Sequence, residues 1–170
     1  MFDKAVRNLA LLAIAPLLGM VVPAAARAAG GMPLPPTADT PVSVVDLMSQ
    51  VVTKTNQQRH RHGCAELEVD QNLIVASARQ SWYMARTRNF SHLGWGGSTF
   101  VERARVAGYE EPAGENIAWG YGTAEAVMRA WMHSPGHREN ILNCGARSIG
   151  TGVTYAADGT PYYTEVFGWD

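Results

Sequence analysis

The periodicity of the apolar residues changes once along this chain, near residue 148, and this change restricts the fold more than any other feature. In "SIGTGVTYAADGTPYYTEVFGW", residues 148–169, apolar and polar side chains alternate on both sides of Asp158-Gly159. A period of two around an Asp-Gly pair predicts a β-hairpin. Because a two-stranded sheet is marginal alone, we expect at least one more strand, in or near "AGENIAWG" at residues 113–120.

Before the hairpin, apolar residues recur at helical spacing in four segments. Each segment begins at a residue whose side chain can cap a helix: Ser43, Asp70, Thr99 and Thr123. For the second helix we expect a buried stripe of four residues: Ile74, Ala78, Trp82 and Ala85. Helices followed by a hairpin predict an α+β domain in which helices cover an antiparallel sheet.

The segment "WMHSPGHRENILN", residues 131–143, contains two histidines four positions apart. That spacing occurs in zinc-binding helices, but Pro135 and Gly136 interrupt the helix and no glutamate follows His133, so the metalloprotease pattern fails. We expect His133 to end one helix and His137 to lie in the first turn of the next. Protonation is disfavoured near a helix N-terminus, which leaves the imidazole of His137 neutral.

The N-terminal part of the chain predicts export. Residues 1–28 combine a basic start, an apolar stretch and an Ala-x-Ala ending, which is the layout of a signal peptide. An uncleaved membrane anchor is the weaker alternative, because Pro16 and Pro23 interrupt or bound the apolar run. Residues 29–41 are rich in Pro and Gly and predict a linker, so residues 42–170 form one domain with no membrane span once the signal peptide is removed.

Cysteine content and charge narrow the class of protein further. The chain has two cysteines, Cys64 and Cys144, and in an exported protein we expect them to form a disulfide that stabilises the fold by about 4 kcal/mol. Two free thiols are the alternative. A net charge of −1 gives no argument for binding nucleic acid.

Two polar residues require an explanation before any family is considered. Glu115 and Asn116 stand between Gly114 and the apolar pair Ile117 and Ala118, so the carboxylate of Glu115 must be hydrated, paired or bound to a cation. A strand edge with Glu115 in water is an open alternative. His92 follows the second helix, where a single histidine is more often structural than a ligand.

Taken together, four motifs resemble the CAP superfamily of cysteine-rich secretory proteins, insect venom antigens and plant pathogenesis-related proteins, in its bacterial secreted branch of SCP-domain proteins. The motifs are "NFSHLG", "AGENIAWGY", "AWMHSPGHRENILN" and "IGTGVTY" with "YYTEVFGW", in this order. The resemblance extends over about residues 45–169 and identifies residues 42–170 as a CAP (SCP) domain. It implies a three-layer α-β-α sandwich with a central antiparallel sheet.

The resemblance also implies a cleft in which His92, Glu115 and His137 hold a divalent cation, often zinc in related proteins. Two imidazoles and a carboxylate are a sensible open site for zinc. The second glutamate of animal and plant members is missing, because Ser134 stands at the position three residues after Trp131. Glu139 is a candidate substitute, although a helix-surface charge beside Arg138 is more often structural or solvated.

From these features we expect a secreted or cell-envelope protein that binds a divalent cation, a small apolar or lipid ligand, or an extracellular or envelope partner in the His/Glu cleft. The alternative is a metal-dependent, protease-like hydrolase that uses the same cleft, with Glu115 as general base or ligand. Against the hydrolase, no dedicated nucleophile is visible in the sequence. A purely structural role for the histidines is a third possibility.

Overall fold

A computed structural model describes residues 43–170 of the 170-residue chain. The predicted signal peptide, residues 1–28, and the predicted linker, residues 29–41, lie outside the described residues and stay predictions. The helices are α1 (Val44–Arg61), α2 (Gln71–Thr87), α3 (Phe100–Ala107), α4 (Ala124–Met132) and α5 (Pro135–Ile141), with a 3₁₀ turn at Trp95–Gly97. The strands are β1 (Glu68–Val69), β2 (Pro112–Trp119), β3 (Ser148–Tyr155) and β4 (Pro161–Gly168).

The strands form one sheet in the order β1-β3-β4-β2. The predicted hairpin is the antiparallel pair β3 and β4, and the further strand expected near residues 113–120 is β2, which pairs antiparallel with β4. The two-residue β1 joins β3 in parallel, so the sheet is mixed at this edge. Strand β2 is the opposite edge of the sheet.

Helices cover both faces of the sheet. The largest apolar cluster joins the sheet to α1, α4 and α5 through residues such as Val51, Trp131 and Phe167. On the other face, α2 and α3 contribute Leu73 and Ala104 to a second cluster. The predicted α+β class and the three-layer α-β-α sandwich are therefore confirmed.

The buried face of α2 differs from the predicted stripe. The structure buries a face lined largely by small and polar residues, Leu73, Ala76, Ser77, Gln80, Ser81, Met84 and Ala85, and leaves Trp82 51% exposed. The reason is the close approach of α2 to β3: a Cβ at Gly150 would lie 2.0 Å from the carbonyl carbon of Leu73, and one at Gly152 would lie 2.4 Å from that of Ser77. A helix this close to a strand favours small side chains at the point of contact, and Ser77 Oγ donates to the carbonyl of Gly150 at 2.8 Å.

Local signals in the sequence set the other helix boundaries as predicted. Thr99 and Glu102 form a capping box at the start of α3, and α4 ends at His133 while Pro135 begins α5. Cys64 and Cys144 form the predicted disulfide, with their Cα atoms 4.9 Å apart. Within residues 43–170, the helices are all too short or too polar to cross a membrane.

Candidate functional site

The site is built on edge strand β2, where consecutive side chains point to opposite faces of the sheet. Glu115 pairs in register with Val166, which packs with α2 and α3, whereas Asn116 pairs with Glu165. The side chain of Glu115 is only 1% exposed. The alternative of a hydrated Glu115 at a strand edge is therefore wrong.

The carboxylate of Glu115 is held by two residues from the α2–α3 layer. His92, in the segment that follows α2, places Nδ1 2.8 Å from Oε1 of Glu115. Arg103 of α3 donates from Nη2 to Oε2 at 2.5 Å. Because Arg103 is buried, the ion pair offsets the cost of placing the charge of Glu115 inside the protein.

Arg103 also fixes the backbone that carries His92. Its Nη1 donates to the carbonyl of His92 at 3.2 Å and to the carbonyl of Ser98 at 2.5 Å. One guanidinium thus ties the His92 loop to β2, while the imidazole of His92 stays 56% exposed and open to a ligand. Sequence reasoning missed Arg103, because its partner lies twelve positions away and no helical or strand period connects the two.

The opposite face of β2 joins the α1 and α5 layer. Asn116 donates from Nδ2 to the carbonyl of His137 at 3.1 Å and to Oε2 of Glu165 at 3.4 Å. Asn140 donates to Oδ1 of Asn116 at 2.9 Å and to the carbonyl of Glu115 at 3.2 Å. These bonds fasten the first turn of α5, and with it His137, to the edge of the sheet.

Glu165 is a second buried carboxyl that sequence reasoning missed. It accepts hydrogen bonds from Thr55 Oγ1 and Asn116 Nδ2, and burial raises its pKa to about 7 against the opposing effect of these two bonds. Glu165 has the same parity in β4 as Tyr163 and Phe167, which places it on the face of the sheet covered by α1, α4 and α5. The position of Glu165 two residues from both Tyr163 and Phe167 was the sequence signal for its burial.

His137 lies in the first turn of α5, in the layer of the sandwich opposite to the one that carries His92. Burial and the charge of His92 lower the pKa of His137, so its imidazole is neutral at physiological pH. The ring lies 6.4 Å from that of Trp131, centroid to centroid. Trp131 in turn donates from Nε1 to the carbonyl of Ile117 at 3.1 Å, which positions α4 against β2.

A cavity of about 250 Å³ opens beside His137, at the end of β2. Most of its wall is aromatic or apolar, with His137 and Ser134 as the polar side chains: Phe90, Ile117, Ala118, Trp119, Tyr121, Ala130, Trp131, Ser134 and His137. We call this space the His137 cavity. Glu139 is exposed and lines a separate groove with Cys144, which agrees with the interpretation of this residue as a solvated helix-surface charge.

Of the three predicted cation ligands, His92 and Glu115 are in direct contact, and β2 also holds the backbone of His137 through Asn116. Across residues 43–170, no group of three or more His, Cys, Asp or Glu side chains is arranged to hold a metal ion. Both oxygens of Glu115 are engaged, one by His92 and one by Arg103. The set therefore does not fit a three-ligand site. The two imidazoles remain as donors, and a carboxylate behind an imidazole is the usual support that orients a histidine ligand.

The sequence also matches a protein family and a bacterial relative. The family model "CAP: Cysteine-rich secretory protein family" matches residues 52–167. The chain is 35% identical over 133 residues to the uncharacterized protein YkwD of Bacillus subtilis (strain 168), a match that covers 78% of this chain and 51% of YkwD. This chain thus spans about half the length of that relative.

Two solved structures are also similar. An outer surface protein from Borrelia burgdorferi superposes with a TM-score of 0.68 at 21% identity, over 75% of this chain and 95% of that one, and supports the fold alone. An extracellular protein containing an SCP domain from Bacillus anthracis str. Ames gives a TM-score of 0.66 at 27% identity, over 77% of this chain and 45% of that one.

Proposed function

The chain belongs to the CAP family, the cysteine-rich secretory protein family, and from this premise we propose that it is an extracellular binding protein whose His137 cavity takes a small apolar ligand. The predicted signal peptide and the similarity to an extracellular protein containing an SCP domain support the location. The family fold alone does not specify a ligand, so the proposal depends on the cavity.

The observation that carries the proposal is the composition of the cavity wall. Aromatic and aliphatic side chains surround a neutral imidazole, and this is the pattern of small-molecule sites, in which a few polar groups orient a mostly apolar ligand. At about 250 Å³ the cavity is smaller than the roughly 300–1,000 Å³ of sites for drug-sized molecules. It therefore suits one end of a lipid, such as a short acyl segment, rather than a whole sterol.

Octanoic acid, measured by isothermal titration, is a direct probe of the cavity. Ala130 lines the cavity, so A130F should fill it and weaken binding at least about tenfold, a loss of about 1.4 kcal/mol. Ala126, one turn earlier on α4, lies outside the lining, and A126F is the matched control. If octanoic acid fails to bind, or binds A130F as well as the parent chain, the cavity is not the site.

The predicted cation gives a separate proposal that concerns the two imidazoles only. Zinc binding measured by titration should weaken in H92A and in H137A, because these rings are the free donors. It should persist in E115Q at an affinity reduced by about 10–100-fold, because the carboxylate supports His92 instead of contacting the ion. Loss of zinc binding in E115Q but not in H92A would contradict this division of roles.

The hydrolase alternative lacks a favouring observation in the described residues. A general base needs a free carboxylate within reach of substrate or water. Glu115 is buried and hydrogen-bonded through both oxygens, and Glu165 is fully buried below Thr55 and Asn116. No catalytic step is derived for either residue.

A further inference from the structure

The outer side of the α2 and α3 layer exposes apolar and cationic side chains next to each other. Along α2 they form one row, spaced by three or four residues: Val75, Arg79, Trp82 and Arg86. The ring of Trp82, 51% exposed, lies 5.7 Å from that of Trp95, 52% exposed, centroid to centroid. Val106 of α3, which lines the same groove as both tryptophans, is 75% exposed. We call these six residues the Trp82–Trp95 face.

A groove of about 320 Å³ lies between the two tryptophans and Val106, and its accessible surface is almost wholly apolar. Trp82 also lines a second groove, together with Arg86 and Arg88. Apolar surface left in water costs about 25 cal/mol per Å², so two adjacent indole rings and a valine are an unfavourable surface for a soluble domain. Such a patch marks a surface that another molecule covers.

The charge of this layer indicates what covers it. Residues 71–107, which include α2 and α3, contain five arginines and one acidic residue, Glu102, which gives a net charge of +4. The other described residues, 43–70 and 108–170, contain six basic and twelve acidic side chains, which gives −6. An anionic surface is therefore attracted to the α2 and α3 layer and repelled by the rest of the domain.

The arginines beside Trp82 are free to make such a contact. Two others, Arg88 and Arg103, are already paired with carboxylates. Arg79 and Arg86 are exposed and have no carboxylate within 4.0 Å among residues 43–170. The carboxylate of Glu102 is engaged at the start of α3, where it accepts from a backbone N–H of the capping box. The free charge on the Trp82–Trp95 face is therefore positive.

Indole rings next to arginines match the boundary between water and an anionic bilayer. Tryptophan concentrates at that boundary because its ring is mostly apolar and carries one N–H donor. An arginine beside it reaches lipid phosphate groups while its methylene stem stays against apolar surface. A helix row with both residue types is typical of helices that lie in the plane of the interface. We propose that the Trp82–Trp95 face docks on the surface of an anionic phospholipid membrane, with the two rings at the level of the headgroups.

The test measures co-sedimentation of the chain from residue 29 onward, the form that the predicted cleavage leaves, with phospholipid vesicles. Residues 1–28 are left out because their apolar stretch would itself bind lipid. We expect binding to vesicles of equal parts phosphatidylglycerol and phosphatidylcholine, and at least about tenfold weaker binding to pure phosphatidylcholine or at high salt. Equal binding to the two kinds of vesicle, or binding to neither, overturns the proposal.

The charge contribution is tested with R79Q/R86Q. Each arginine near an anionic surface contributes about 1 kcal/mol, so the double variant should bind the anionic vesicles about thirtyfold more weakly. R129Q/R138Q is the matched control, because it removes two exposed arginines from α4 and α5 in the opposite layer. It should bind within about twofold of the parent chain. Equal losses in the two double variants would mean that the charge of the face is not read locally, which overturns the proposal.

The ring contribution is tested with W82A/W95A, which should weaken binding to the anionic vesicles at least about tenfold. W169A is the control for an exposed tryptophan elsewhere, since Trp169 is 45% exposed and lies beside Gly145. The thermal midpoint of each variant checks its fold. Unchanged vesicle binding in W82A/W95A overturns the proposal.

Polyphosphate and poly-glutamate represent soluble anionic partners. If either binds the parent chain as tightly as the vesicles do, with the same losses in R79Q/R86Q and W82A/W95A, the face recognises an anionic polymer or an acidic protein and the proposal is overturned. The octanoic acid titration concerns the His137 cavity, whose lining includes neither Trp82 nor Trp95. Failure of one proposal is therefore distinguishable from failure of the other.

Discussion

The buried carboxyl of Glu165 predicts that this fold loses stability as the pH rises. In the folded protein, burial raises the pKa of Glu165 from 4.5 to about 7. The folded state therefore binds the proton more tightly than the unfolded state does. The stabilising contribution is fully present below about pH 4.5 and is lost as the pH rises to about 7.

The size of the effect follows from the same two pKa values. A rise from 4.5 to about 7 corresponds to about 3 kcal/mol, because one pH unit of pKa difference is worth about 1.36 kcal/mol. No discount for solvent screening applies, since Glu165 is fully buried. A loss of this size is a substantial fraction of the roughly 5–15 kcal/mol that stabilises an ordinary domain.

The substitution Glu165→Gln isolates this contribution. Glutamine approximates the protonated acid in shape and cannot ionise, so E165Q should lose much less stability between pH 4 and pH 8.5 than the parent chain. The measurement is equilibrium urea unfolding at both pH values with the disulfide intact. At each pH the free energy of unfolding of E165Q is compared with that of the parent chain, and the test is how this difference changes between the two pH values. We expect that change to be about 3 kcal/mol in favour of E165Q at the higher pH.

E139Q removes one exposed carboxylate and controls for the loss of a single negative charge. The reasoning fails if the free-energy difference between E165Q and the parent is the same at both pH values within about 0.5 kcal/mol, the usual spread of surface effects. Such a result would mean that Glu165 ionises in the folded state as easily as in the unfolded chain.

Three further perturbations test the packing. Gly150→Ala should lower the free energy of unfolding by about 3 kcal/mol or more, measured in urea, because the new Cβ would lie 2.0 Å from the backbone of Leu73. A variant as stable as the parent chain would contradict the close approach of α2. The double variant C64A/C144A removes a link across 80 residues and should lose about 4 kcal/mol, seen as a lower urea midpoint. Thr99→Ala breaks the capping box and should cost about 1 kcal/mol in thermal unfolding, whereas T53A, at an exposed threonine within α1, should cost less.

The predictions of the helix starts and of the hairpin turn succeeded because they depend on short-range chemistry. A capping side chain and the amide it bonds are three residues apart, as for Ser43 with Asp46 and Thr99 with Glu102. The Asp158-Gly159 turn likewise carries its own signal, since Gly159 adopts a φ of 83° that favours glycine. Such features can be inferred from a window of a few residues because the interaction closes within that window.

The predicted stripe of α2 was right for Ala85 and wrong for Trp82, because packing against the sheet decides which face of the helix is buried. Hydrophobicity favours burying Trp82, but the glycines of β3 bring the sheet too close for a large ring. The glycines at positions 150 and 152, two apart on one face of β3, were the available signal. Arg103 and Glu165 were missed for a related reason: their partners Glu115 and Thr55 are set by tertiary packing, and Thr55 is 110 positions from Glu165.

The parity of β2 explains how one strand can hold both the side chain of His92 and the backbone of His137. Because successive side chains alternate, Glu115 must face α3 when Asn116 faces α5. The carboxylate of Glu115 then positions the imidazole of His92. The side chain of Asn116 positions His137 by donating to the backbone carbonyl of His137. A single inserted residue before Glu115 would exchange the two faces, directing the carboxylate toward Glu165 and leaving Arg103 unpaired. The order of the two residues is therefore required for both sets of contacts. Glu115 bonds to the layer of α2 and α3, Asn116 bonds to the layer of α1 and α5, and the two layers meet at the free edge of the sheet.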